Sequence, residues 1–289
     1  MIRLEDDRRI LGGSAKMAPS IAGRQRHRRW PWFLGGAVLL IGAGLGVIWL
    51  TSSRAIPVTM QQAESRLGRS RPDPSDLMRP APGVYRYTGS GTESLTLPPL
   101  TQAEGPTMPG TLTLRGANCW DFRIDYSTHH WRTWDYCLDK GGLRETGGRL
   151  WQLWPIGPVN MTNVTSITCS SGTMAFPTEA VPGQHWVSRC TGDSTAVKGR
   201  MVSTGPYRFV GDVTILVGGH PVRAARFLAL RTDSGAQRGT ERSEVWFRVS
   251  DGLPLRLRQD IKVTTSTPFG TSTYTQVGVF SLVSSVPHR

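Results

Sequence analysis

From Gly83 onward the chain is a succession of short runs in which apolar and polar residues alternate, separated by Gly, Pro, Asp and Asn. GTLTLRG at 110–116, CWDFRIDY at 119–126 and TYTQVGVFSLVS at 273–284 are rich in β-branched and aromatic residues. That is the period-2 signature of strands with one face buried. The clearest element is the hairpin in SEVWFRVSDGLPLRLRQDI. Val245, Phe247 and Val249 fall on one face and Glu244, Trp246 and Arg248 on the other. After Asp251-Gly252, Leu253, Leu255 and Leu257 oppose Arg256 and Arg258. Asp-Gly between alternating runs predicts a tight turn because glycine accepts positive φ at no steric cost. A second hairpin is predicted across Gly218-Gly219. No window after Gly83 repeats at the 3.6-residue helical period. The prediction is a mainly β domain, an antiparallel meander of roughly ten strands, curved into a half-barrel or closed into a barrel because large sheets twist.

Before that domain the texture is different. Residues 51–82 are rich in Pro, Ser and Arg and read as a flexible linker, with a short helical turn at Gln61–Leu67. Pro31 to Leu50 carries no charged residue, and about 20 apolar residues suffice to cross a ~30 Å hydrocarbon core. Trp30 and Trp32 at one end and Trp49 at the other match an interfacial aromatic belt. Arg24, Arg26, Arg28 and Arg29 precede the run, and the positive-inside rule then puts the N-terminus in the cytoplasm. The predicted organisation is a basic cytoplasmic tail (1–29), one transmembrane helix (30–50), the linker (51–82) and an extracytoplasmic all-β domain (83–289), at the cell membrane with the bilayer as partner through residues 31–50. Ser53-Arg54-Ala55 offers a small-x-small cleavage pattern, but the apolar run exceeds a signal peptide's h-region and an arginine inside the motif fits poorly.

The four cysteines, Cys119, Cys137, Cys169 and Cys190, all follow the apolar run. An even number on the oxidising side predicts two disulfides. Cys119–Cys137 and Cys169–Cys190 is the favoured pairing, because each bridge then joins neighbouring strands at short range; the other two connectivities stay open. No CxxC or CxxH pair supports a metal site. Nor is there a GxSxG, HExxH, P-loop or dinucleotide fingerprint, so neither a catalytic site nor a cofactor is expected.

The net charge of +13 raises the question of nucleic acid. Eight basic residues of the tail, offset by Glu5, Asp6 and Asp7, supply part of it, and the rest is scattered without a Lys/Arg block. Diffuse positive charge suits anionic lipid or cell-wall polymer better than nucleic acid, which is not expected as a partner. Tryptophans are the most distinctive remaining residues. Trp131, Trp134, Trp151, Trp154 and Trp246 are the candidates to line a ligand groove; HHWRTWDYC reads either as a stacking platform or as core packing around the cysteines.

Two segments carry a resemblance. The Gly83–Tyr87 strand and the Ser243–Arg256 hairpin, an aromatic-rich strand, an acidic-Gly-Leu-Pro turn and a basic strand, resemble LolA-like and LppX-like lipoprotein carriers and RseB-like regulators of the bacterial envelope. The resemblance implies a bent antiparallel half-barrel whose concave face holds acyl chains or a partner peptide, without catalysis. The chain departs from that pattern in having no lipobox, four cysteines and no helical lid. The expectation is a non-enzymatic, membrane-anchored envelope protein binding a hydrophobic ligand or a protein partner. Two alternatives stay open: an envelope scaffold or regulator, and a cysteine transpeptidase or hydrolase resembling sortases at Ile167-Thr168-Cys169, with His129 or His130 and Arg189 as helpers. The last requires a free thiol.

Overall fold

The computed structural model describes residues 54–67, 79–171 and 173–288. The tail and the apolar run lie outside the described residues, and among those residues no helix is long and apolar enough to cross a membrane. The strands are β1 (Gly83–Thr96), β2 (Pro99–Glu104), β3 (Thr107–Arg115), β4 (Cys119–Ser127), β5 (His130–Asp139), β6 (Gly142–Ile156), β7 (Val159–Cys169), β8 (Met174–Pro177), β9 (His185–Ser194), β10 (Val197–Val217), β11 (His220–Gly235), β12 (Arg238–Arg248), β13 (Pro254–Thr267) and β14 (Gly270–Leu282). Neighbours in sequence pair antiparallel almost throughout. β2 and β3 both pair with β1, and β8 pairs with β6 outside the main path.

The open half-barrel implied by the carrier resemblance does not form. β1 pairs with β14 from Tyr87↔Leu282 to Leu95↔Tyr274, and the meander closes into a twelve-strand antiparallel barrel. Closure satisfies the two edges that a twisted sheet would otherwise expose. Both predicted hairpins are present. At Gly218-Gly219 both residues have positive φ, 58° and 81°, between Val217 and its partner His220, which suits a two-residue turn matched to strand twist. At Asp251-Gly252 the chain doubles back with Gly252 at φ 75°, and the Arg248 amide donates to the Leu253 carbonyl at 2.8 Å.

The two disulfides join the strand neighbours expected of them. Cys119 and Cys137 face each other on β4 and β5, and Cys169 and Cys190 on β7 and β9. No free thiol remains, so the cysteine-nucleophile reading loses the group it requires.

Within the stretch read as a linker, helix α1 (Met60–Leu67) lies on the barrel. Thr59 and Gln62 cap it reciprocally: the Gln62 amide donates to Thr59 Oγ1 and the Thr59 amide to Gln62 Oε1. Val58 and Ala63 are buried, and Arg66 reaches Asp125 of β4 at 3.2 Å.

The barrel interior differs from end to end. Towards the end that carries the β10–β11 and β12–β13 turns it is filled. Tyr85, Tyr87, Phe122, Tyr136, Phe227 and Phe247 are nearly inaccessible, and Tyr87 packs on Phe122, and Tyr136 and Phe227 on Phe247, ring against ring. Phe227 alone touches Tyr207 at 5.3 Å, Phe209 at 5.1 Å and Phe176 at 5.7 Å between centroids. Such aromatic pairs contribute roughly 0.5–1.5 kcal/mol each beyond the area they bury. Towards the other end, where β1–β2, β6–β7, β9–β10, β11–β12 and β13–β14 turn, the lumen opens.

Candidate ligand-binding site

The open end of the lumen holds a cavity of about 220 Å³. Inward positions of five strands wall it with apolar side chains: Leu95 of β1, Leu150 and Trp154 of β6, Ile167 of β7, Met201 of β10, and Ile261 and Val263 of β13. Residues at the strand ends, Leu97, Val197, Gln237 and Thr267, ring its mouth.

The floor is charged. Arg132 of β5 and Glu241 of β12, strands on opposite sides of the ring, approach to 3.6 Å across the lumen. Arg231 of β11 reaches Glu145 of β6 at 2.9 Å. Burial alone would lower the Arg231 guanidinium, but the Glu145 and Glu241 carboxylates more than compensate and raise it. Glu241 is pushed up by burial, then held below its ordinary value by Arg132 and Arg231. These pairs keep two buried arginines charged and separate the aromatic half of the lumen from the cavity. Asp233, nearer the mouth, has its carboxyl raised by burial.

One side of the cavity is a buried polar cluster. His130 Nδ1 is hydrogen-bonded to Glu104 Oε1 at 2.9 Å and lies 3.2 Å from Glu93 Oε2. Glu93 also accepts from Gln102 Nε2 at 2.6 Å, Gln152 Nε2 at 2.7 Å and the Tyr274 hydroxyl at 3.1 Å. Glu104 accepts from Gln276 Nε2 at 2.7 Å. Gln152, Tyr274 and Gln276 line the cavity, so the cluster forms its polar wall. Burial acts to lower the His130 imidazole, but the Glu93 charge and the hydrogen bonds to both carboxylates raise it to about 9. Glu93, pushed up by burial, is held low by the His130 charge and its hydrogen bonds. For Glu104 burial wins over its partners and the carboxyl is raised. Gly91, directly across the ladder from Glu104, makes room for it: a Cβ there would sit 2.3 Å from Glu104 Oε2.

Metal-ligating atoms of Glu93, Glu104 and His130 lie within 4.8 Å of one another. His130 Nδ1 lies within 3.2 Å of a carboxylate oxygen of each glutamate, so the raised imidazole itself is placed to offset their charge. The other close grouping, Glu145 with Cys169 and Cys190, contains no thiolate because the sulfurs are bonded to each other.

Of the five candidate tryptophans, Trp154 lines the cavity and packs edge-on against Tyr274 at 6.4 Å. Trp134 points inward in the packed half, 5.9 Å from Phe122. Trp131 and Trp151 pair across β5 and β6 on the outer surface, stacked at 6.3 Å, with Arg123 over Trp131 at 4.2 Å. Trp246 lies on the outer face too, between Arg226 and Arg256, each 5.3 Å from its ring. The structure therefore does not bring the five together. The residues that shape the floor and the polar wall carry a sequence signal of another kind, a charge on the inward parity of a strand. Arg132 shares parity with Trp134 and Tyr136, Arg231 with Phe227 and Ala229, and Glu241 with Val245 and Phe247.

No protein-family model and no curated protein sequence matches the chain. Among solved structures it is similar to the hypothetical lipoprotein YmcC from Escherichia coli (K12), with 13% identity over 78% of this chain and 98% of that one and a TM-score of 0.32. At that score the likeness carries no argument, and the closed β-barrel stands on the strand pairing itself.

Proposed function

We propose that the protein is a membrane-anchored component of the cell envelope whose barrel binds a hydrophobic ligand without catalysis, the occupant being one acyl chain or an apolar group of similar width. The observation that carries this reading is the cavity: apolar walls, one open end and a polar floor, in a barrel whose other half is filled. At about 220 Å³ it falls below the ~300–1,000 Å³ of typical small-molecule sites, which favours a single narrow chain over a whole diacyl lipid. Burial of each methylene contributes about 0.8 kcal/mol. Eight to ten of them give roughly 6–8 kcal/mol before the cost of association, which is itself about 4 kcal/mol or more. Weak, exchangeable binding follows, as a carrier or sensor of lipid needs.

The test is photo-crosslinking of the full chain in membranes with a diazirine-bearing fatty acid. Crosslinks are expected at Met201, Ile261 and Val263, and Met201→Trp, which fills the cavity, is expected to reduce them several-fold. Crosslinks confined to residues 31–50 and to outward-facing positions, unchanged by Met201→Trp, would refute a lumenal site.

A further inference from the structure

The end of the barrel at which the chain arrives is fixed by two hydrogen bonds. The Thr128 amide donates to the Ile56 carbonyl at 2.7 Å, and the Ile56 amide to Thr128 Oγ1 at 3.0 Å. Thr128 lies in the turn between β4 and β5, at the same end as the cavity mouth. Leu50, the last residue of the apolar run, is six positions before Ile56. Six residues reach at most ~20 Å when fully extended. If that run crosses a bilayer, Ile56 is held within about 20 Å of the surface.

The mouth end is built for such a neighbour. Phe269, at the β13–β14 turn, is 89% exposed, and Val159, at the β6–β7 turn, is 63% exposed. Leu97 at the β1–β2 turn adjoins Gly270 and is 37% exposed. Isolated exposed apolar residues occur at the far end as well, Leu216 among them, so exposure alone does not choose between the ends. The point of attachment does. Lys198, Arg200 and Arg238 are exposed beside the adjacent β9–β10 and β11–β12 turns, against Asp193 opposite Arg200. Aromatic and aliphatic tips flanked by basic residues match the interfacial region of an anionic bilayer, where Lys and Arg near the surface are attracted to the lipid head groups.

We propose that the mouth end of the barrel rests on the anionic lipid surface of the membrane that carries the anchor, with Phe269, Val159 and Leu97 at the interface, so that the lumen opens towards the lipids. This rests on reading Pro31–Leu50 as membrane-spanning. All four cysteines are in disulfides, so an introduced cysteine is a unique labelling site. The test reconstitutes the full chain, as Phe269→Cys, Val159→Cys or Leu216→Cys, into phosphatidylcholine liposomes with and without phosphatidylglycerol. Each variant is labelled with a membrane-impermeant environment-sensitive fluorophore and quenched by head-group spin-labelled lipid. Quenching at positions 269 and 159 is expected to exceed that at 216 several-fold, to rise with phosphatidylglycerol and to fall in the Lys198→Glu/Arg200→Glu/Arg238→Glu background. Equal or reversed quenching in protein that co-floats with liposomes would overturn the orientation while leaving the anchor intact. Protein that does not co-float would overturn the anchor and the orientation together.

Discussion

Replacing His130 with leucine is expected to destabilise the barrel by about 3–5 kcal/mol, the usual cost of orphaning a buried charge. The imidazole lies between Glu93 and Glu104 with all three side chains inaccessible. Leucine would leave two carboxylates facing each other, and at least one would have to bind a proton for the domain to fold. The pH dependence separates this from a simple packing defect. His130 is raised to about 9 in the folded chain, against about 6.5 for an ordinary imidazole. A group raised on folding contributes fully below its unfolded value and loses that contribution as pH rises through the folded one. Glu104, also raised, acts in the same direction across the range above an ordinary carboxylate. Glu93, held low, contributes above its ordinary value and loses that contribution only in acid. The wild-type stability should therefore decline between about pH 6.5 and 9, by something on the order of 3 kcal/mol, whereas in His130→Leu the decline should start lower, from the ordinary carboxylate range, because there the carboxyl that takes up a proton on folding carries the raised value. A variant with wild-type stability, or one whose stability falls over the same pH range as that of the wild type, would show that the imidazole is not the charged centre of the cluster. Chemical denaturation followed over pH supplies both readings.

Arg231→Met is the second large effect expected, again about 3–5 kcal/mol of destabilisation. Arg231 lies in the lumen with its guanidinium 2.9 Å from Glu145, four strands away around the ring. Methionine keeps an unbranched apolar stem but leaves Glu145 inside the barrel without its partner. The double variant Arg231→Met/Glu145→Leu removes both charges and should recover most of the loss, because well-packed apolar side chains often equal or exceed a buried ion pair. A double-mutant cycle then gives a coupling well above the few tenths of a kcal/mol typical of independent sites. Additive losses, with the double variant less stable than either single one, would show that Arg231 and Glu145 do not meet across the barrel.

Much of the architecture was legible because strands are local. Alternation located the strands, and Gly218-Gly219 and Asp251-Gly252 located two hairpins through the backbone freedom that glycine supplies. The cysteine pairing followed from adjacency in a meander, where Cys119 and Cys137 end up opposite each other. Closure was not legible, since it depends on β1 meeting β14 across nearly the whole domain, as in Tyr87↔Leu282, and no local pattern encodes that distance. The site was harder to see because it inverts the usual parity rule. On β5 the outward residue is Trp131 and the inward one Arg132, each against its hydropathy. Cross-lumen partners such as Glu241 relieve the arginine, and a facing Trp151 and the Arg123 guanidinium cover the indole. A search for grooves by aromatic content therefore finds three tryptophans on the outside and overlooks the charged residues that line the lumen.

On the proposed function, one half of the barrel takes up an acyl chain while the other half is filled. Anomalous diffraction from crystals grown with a terminally brominated fatty acid tests it most directly. The bromine peak is expected inside the lumen among Trp154, Met201 and Ile261, on the mouth side of Arg132 and Arg231. A peak only on the outer surface, or none in the lumen at saturating ligand, would contradict the account.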